Sequence, residues 1–217
     1  MGGTGPHARE VAQYGGSTTH SAEAAMIMVH GRGGKPSDIL GILPLINRPR
    51  VMCVAPAAAN NTWYPFSFIS PREQNEPYLS SALSVIEANV LELLELNVPL
   101  EKILLLGFSQ GACLLSEFVI RHPRKYGGLL ALSGGLIGPL GTTWDDVHAD
   151  LTGMHVFLGC SDVDSHIPKE RVIESEAVFT RLGASVTRVL YPGMGHVINP
   201  DEIRQVQRVI DDVIAAD

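Results

Sequence analysis

The chain has 217 residues, 45% of them hydrophobic and 18% charged, which suits one domain around one sizeable core and excludes a disordered chain. A formal net charge of -7, with no run of Lys and Arg, argues against nucleic acid and anionic membrane surfaces as partners, because both attract basic faces. No segment reaches the about 18 consecutive apolar residues that a membrane span needs.

Residues 1–21 are rich in Gly, Ser, Thr and His. They lack the basic start and apolar stretch of a secretory signal. Residues 1–24 are therefore expected to be a loosely ordered lead-in, and 25–217 a single domain. Short apolar runs follow at 25–29, 51–55, 103–106, 129–132, 155–158 and 186–190, each stopped by Gly, Pro or Ser. Uniformly apolar runs of this length read as strands buried on both faces of a parallel sheet.

Between them lie helical patterns. A short helix is expected over 38–46. In 78–96, Leu79, Leu83, Ile86, Val90 and Leu93 share one face. Helices are also expected over 111–122, stopped by Pro123, and over 169–182, closed by Gly183. The last begins at Asn199 as N-cap, with Pro200 behind it and Glu202 completing a capping box. The longest stretch without a period, 141–152, reads as a surface loop. Strand and helix alternating through one chain predict an α/β layered fold with a mostly parallel central sheet flanked by helices.

The chemistry concentrates at strand ends. Gly107-Phe108-Ser109-Gln110-Gly111 fits G-x-S-x-G between an apolar strand and a helix. That context forces a tight turn which lifts the serine oxygen clear of the sheet and aims helix N-terminal amides at it. A serine hydroxyl needs a base to become nucleophilic, and the chain order on such folds is Ser, then Asp or Glu, then His. His196, in Gly193-Met194-Gly195-His196 past the last strand, is the expected base; His166 and His122 are less well placed. The acid should follow the strand at 155–158. Gly159-Cys160-Ser161-Asp162-Val163-Asp164 offers two, and Asp162, nearer the strand end, is preferred, with Asp164 as the alternative.

His30-Gly31-Arg32-Gly33-Gly34 is a Gly-rich turn that can aim a backbone N–H at a developing oxyanion. Arg32 and Gln110 are the expected donors through their amides. The turn lacks the Lys-Ser/Thr ending of a phosphate-binding loop. The aromatics at 63–68, with Trp63 and Tyr64 foremost, are expected to wall a substrate pocket. Asp145, Asp146, His148 and Asp150 have metal-ligand composition without metal-ligand spacing, so no metal is expected. Cys53, Cys113 and Cys160 cannot all pair; they read as small buried hydrophobes, reduced in a cytoplasm.

Four motifs in order, H-G-x-G-G from His30, G-F-S-Q-G-A from Gly107, G-x-x-D from Gly159 and G-M-G-H from Gly193, resemble the phospholipase/carboxylesterase family, which includes the acyl-protein thioesterases. The resemblance spans about residues 25–215. It implies the α/β-hydrolase fold without a cap domain. It also implies a serine carboxylesterase acting on carboxylic esters, thioesters or lysophospholipids, often a homodimer, with no cofactor. It further implies that Trp63-Tyr64 matches a Trp-Phe pair shaping the acyl site. Two features depart from the family. Asp162-Val163-Asp164-Ser165-His166-Ile167-Pro168 carries two residues more than D-P-x-V-P, so that counting from Gly159 selects Asp162 and counting back from Pro168 selects Asp164. Arg32 stands where the family often has a smaller or apolar residue, and its side chain either binds an acidic substrate group or faces solvent. The rival reading is a non-catalytic ligand-binding protein on the same fold, since fold alone does not set function.

Overall fold

A computed structural model describes residues 5–216. Seven strands form one sheet: β1 (Gln13–Gly16), β2 (Ala24–Val29), β3 (Val51–Ala55), β4 (Ile103–Phe108), β5 (Gly128–Leu132), β6 (His155–Ser161) and β7 (Ser185–Tyr191). Their spatial order is β1-β3-β2-β4-β5-β6-β7, with β1 antiparallel to β3 and the rest parallel. The helices are α1 (Pro36–Leu40), α2 (Leu43–Ile46), α3 (Tyr78–Glu95), α4 (Gln110–Arg121), α5 (Lys169–Arg181) and α6 (Pro200–Ala215).

The apolar runs are continuous because each strand feeds two cores. In β2, Ala25, Ile27 and Val29 pack with residues of α3 and α4, whereas Ala24, Met26 and Met28 join Ile39, Ile46 and the Ile203, Val206, Ile210 and Val213 stripe of α6. The two-residue period of a strand sends neighbours to opposite faces. Strands β2 and β4 are adjacent, with Val29 opposite Gly107. The connection from β2 runs outward to β3, and the chain then crosses back to β4 on the other side. That reversal leaves a crevice beyond the carboxyl ends of β2 and β4, where ligands bind in open α/β sheets.

Two expectations change. Residues 5–24 are not a loose lead-in: β1 extends the sheet, Tyr14 Oη donates to Glu92 at 2.7 Å, and His7 is buried. The His7 ring accepts from the Ala59 amide at 2.9 Å and donates to the Trp63 carbonyl at 3.0 Å, so this segment braces the aromatic loop. The helix expected over 38–46 is two helices broken at Gly41-Ile42, because Pro44 has no N–H for the bond a continuous helix would require. The loop over 141–152 is anchored by Trp144, 2% exposed, with the Arg171 guanidinium 5.1 Å from its ring. Among the described residues no helix is long and apolar enough to cross a membrane.

Candidate active site

Ser109 joins β4 to α4 with φ 55° and ψ -119°, a conformation that costs a non-glycine residue of order 1–3 kcal/mol and persists only where surrounding packing imposes it. The flanking glycines impose it. A Cβ at Gly107 would stand 2.5 Å from the carbonyl carbon of Gly111, and a Cβ at Gly111 would stand 2.2 Å from the Val29 oxygen. Strand, turn and helix therefore pass at distances only glycine allows.

His196 follows β7, and its Nε2 lies 2.8 Å from Ser109 Oγ. Its Nδ1 lies 2.7 Å from Oδ2 of Asp164, not of Asp162. A carboxylate only accepts, so Nδ1 carries the proton and Nε2 is left to accept from the serine. The preference for Asp162 is thus corrected by the geometry. Asp162 Oδ1 accepts instead from the Gly193 amide at 2.8 Å, in the turn before His196. The reason lies in the loop: Asp164 Oδ1 accepts from the amides of His166 and Ile167 at 2.8 and 3.0 Å, folding it back so that its other oxygen meets His196. Count back from Pro168, and this is the aspartate selected.

The Asp164 side chain is 0% exposed. Burial by itself raises its pKa, but the bonds from His196 and from the two amides outweigh burial and hold the carboxyl below its ordinary value. The His196 ring has Phe108 5.0 Å away and His166 4.8 Å away. Ser161, at the end of β6, donates to the Met194 carbonyl and accepts from Val163, tying the acid loop to the histidine loop.

A cavity of about 420 Å³ opens beside Ser109, with Tyr64, Phe66, Phe68, Cys113, His166 and Ile167 among its walls. Trp63 is not one of them. It is fully buried, its indole N–H donating to the His30 carbonyl at 2.9 Å and its amide to Gln110 Oε1 at 3.0 Å. Trp63 belongs to the core that supports the Gly-rich turn, so the expectation that its side chain walls the pocket is corrected. Tyr64 borders the cavity, its buried hydroxyl beside the Cys113 thiol.

Arg32 neither faces solvent alone nor stands free for a substrate. Its guanidinium donates to the carbonyls of Tyr64, Pro65 and Phe66 at 2.9, 2.9 and 2.8 Å, clamping the aromatic loop to the Gly-rich turn. Gln110 does likewise from the other side, its amide nitrogen donating to the Tyr64 carbonyl at 2.8 Å. Sequence reasoning named Arg32 and Gln110 for their backbones and missed these side-chain roles, which join segments 32 to 47 residues apart. Neither the Arg32 nor the Gln110 backbone N–H takes part in a hydrogen bond among the described residues. All three cysteines are buried and unpaired, and burial pushes each thiol up to about 12, which keeps them protonated and poorly nucleophilic. Among the described residues no three His, Cys, Asp or Glu side chains gather as a metal site.

A serine presented on such a turn above a mostly parallel sheet defines the class: a serine hydrolase of the α/β-hydrolase fold. The sequence profile of the phospholipase/carboxylesterase family matches residues 16–214, so the chain belongs to that family and acts on ester bonds. It is 26% identical over 212 residues to acyl-protein thioesterase 1 homolog 1 of Dictyostelium discoideum, covering 89% of this chain and 91% of that one. A crystal structure of a phospholipase/carboxylesterase from Dyadobacter fermentans matches with TM-score 0.88 and 37% identity, over 97% of this chain and 98% of that one. The Bacillus cereus carboxylesterase, at 16% identity and TM-score 0.73 over 95% of each chain, shares the fold.

Proposed function

We propose that this protein is a carboxylesterase and thioesterase that works through a Ser109–His196–Asp164 triad and an acyl-enzyme. The observation that carries the reading is the unbroken relay from Ser109 Oγ through His196 to Asp164, at 2.8 and 2.7 Å. The serine oxygen attacks the substrate carbonyl carbon and its proton passes to His196 Nε2. Asp164, kept ionised by its amide bonds, stabilises the imidazolium. The carbonyl oxygen, now negative, accepts from the unpaired amides of Arg32 and Gln110, each worth about 3 kcal/mol of barrier. Collapse breaks the bond to the alcohol or thiol, which leaves with the proton from Nε2. Water then repeats the sequence on the acyl-enzyme and releases the acid.

The acyl group occupies the cavity walled by Phe66, Phe68 and Ile167, whose faces are apolar. The names of the thioesterase relatives support thioesters beside oxygen esters. The buried, unpaired thiols fit a reducing compartment such as the cytoplasm. The test is a panel of esters and thioesters of graded acyl length, run with fluorophosphonate labelling and peptide mass mapping. Turnover that depends on acyl length, with a single adduct on Ser109, is expected. An adduct on another serine, with turnover surviving in Ser109→Ala, overturns the reading.

A further inference from the structure

A second cavity, of about 210 Å³, lies beside the same Gly-rich turn. Its walls include Ile39, Ile42, Phe108 and Ile198, together with the turn residues Gly31 and Arg32. We propose that this cavity is the leaving-group subsite, and that it takes a compact alcohol or thiol with an apolar body and a hydrogen-bond-donating, non-anionic end. The proposal rests on the triad reading above.

The argument begins from the shape of an ester. Its carbonyl carbon carries an oxygen and two arms. With the oxygen on the amides of Arg32 and Gln110, one arm must lie on each side of the turn. Arg32 is the residue common to both cavities. The larger cavity has Ser109 in its own wall, where the acyl arm stays attached after the first step. The departing arm has a different requirement, since its oxygen or sulfur must reach His196 Nε2 for the proton. The smaller cavity is bounded by the two neighbours of that imidazole: Phe108, which precedes Ser109 and whose ring is 5.0 Å from the His196 ring, and Ile198, two residues past His196. Its volume is on the scale of roughly seven water molecules, half that of the acyl side, so the departing arm is the smaller.

The polar side chains in its wall set the chemistry. His30 Nδ1 lies 2.8 Å from the Gly31 carbonyl. A carbonyl cannot donate, so Nδ1 holds the proton, and Nε2 is buried and closed off from the cavity. Burial also lowers the His30 pKa, which keeps the ring neutral. The other polar side chain is the carboxylate of Asp38. Asp38 Oδ2 accepts from the Lys35 amide at 2.9 Å, and a carboxylate keeps further lone pairs, so this negative acceptor favours a hydroxyl or ammonium hydrogen and repels an anion. The Arg32 guanidinium does not alter this, because it is turned to the carbonyls of the aromatic loop.

The test holds the acyl group constant and varies the alcohol. Methyl, propyl, 2-hydroxyethyl and carboxymethyl butyrate are compared by kcat/KM, which reports acylation, each corrected for its rate with hydroxide. The expected order among the last three is 2-hydroxyethyl, then propyl, then carboxymethyl, with about tenfold between the first and last. Ile42→Trp, which fills the cavity, should lower the propyl and 2-hydroxyethyl rates about tenfold relative to methyl butyrate, the scale of one misfit group in a pocket. Asp38→Asn should narrow the gap to carboxymethyl butyrate. Should Ile42→Trp not fold, Ile198→Phe narrows the same cavity. An unchanged ratio to methyl butyrate in a folded cavity-filling variant overturns the subsite, as does carboxymethyl leading the series. Loss of fluorophosphonate labelling in the wild type overturns the triad reading itself, whereas labelling with a flat alcohol series overturns the subsite alone.

Discussion

The turn at Ser109 and the loop at Asp164 deliver their side chains to one point by different means. Around Ser109 the backbone does the holding. Gly107 and Gly111 allow approaches of 2.5 and 2.2 Å that no Cβ could occupy, and the serine is driven to φ 55°. Around Asp164 hydrogen bonds do it, two from the amides of its own loop and one from His196. A neighbouring aspartate two residues earlier holds the histidine turn instead. Sterics of this kind are readable in a pentapeptide, whereas a choice between two aspartates depends on how a loop closes.

The comparison can be broken most severely at the nucleophile. Ser109→Ala should reduce turnover by about 10⁶, as in the best-measured triads, with circular dichroism unchanged because the half-exposed side chain adds little packing. Residual turnover within tenfold of the wild type would remove Ser109 from the mechanism.

The two aspartates give the next largest contrast. Asp164→Asn should lower kcat by about 10⁴, since an amide can favour the wrong imidazole tautomer and cannot stabilise its cation. Asp162→Asn should cost about tenfold or less, because an Asn oxygen still accepts from Gly193, and only local charge is lost. Both are read at saturating substrate. The reverse ranking would return the acid to Asp162.

On the steric side, Gly111→Ala places a methyl against the Val29 carbonyl. Relief demands movement of β2 or α4, and a destabilisation of about 4 kcal/mol is expected, or about 10 °C in Tm for a chain of this size. A variant that melts with the wild type would show the turn to be held by something other than its glycines.

The smallest effect sharpens the electrostatic side. Glu202, fully buried at the N-terminus of α6, accepts from the Asn199 amide through one oxygen, and the other has no partner. Burial raises its pKa to about 7, the Asn199 bond lowering it and the charges of Asp201 and Asp164 adding to the rise. A raised acid contributes stability that is complete below its unfolded value, near 4.5, and lost as pH climbs through about 7. Glu202→Gln lacks that loss. It should gain on the wild type by about 3 kcal/mol between pH 4.5 and 8, read from denaturant melts across that range. A difference that stays constant with pH would mean that Glu202 is ionised throughout.

Much of this protein was legible in its sequence, for reasons that are local. Strands buried on both faces must be apolar at every position, so the six runs stand out. A serine between glycines at a strand end needs no distant partner to be recognised, and His196 follows from chain order. The antiparallel β1 escaped notice because Gln13–Gly16 is a largely exposed edge with no apolar run to mark it. Trp63 escaped because an aromatic in a loop gives no sign of which way its ring turns; here the His30 carbonyl and Gln110 draw it into the core. Composition and spacing by themselves determined the α/β sheet and singled out Ser109 and His196. Only the tertiary structure decided which aspartate meets His196, the clamp formed by Arg32 and the walls of the two cavities, because each depends on groups from separate segments meeting at distances that no spacing along the chain encodes.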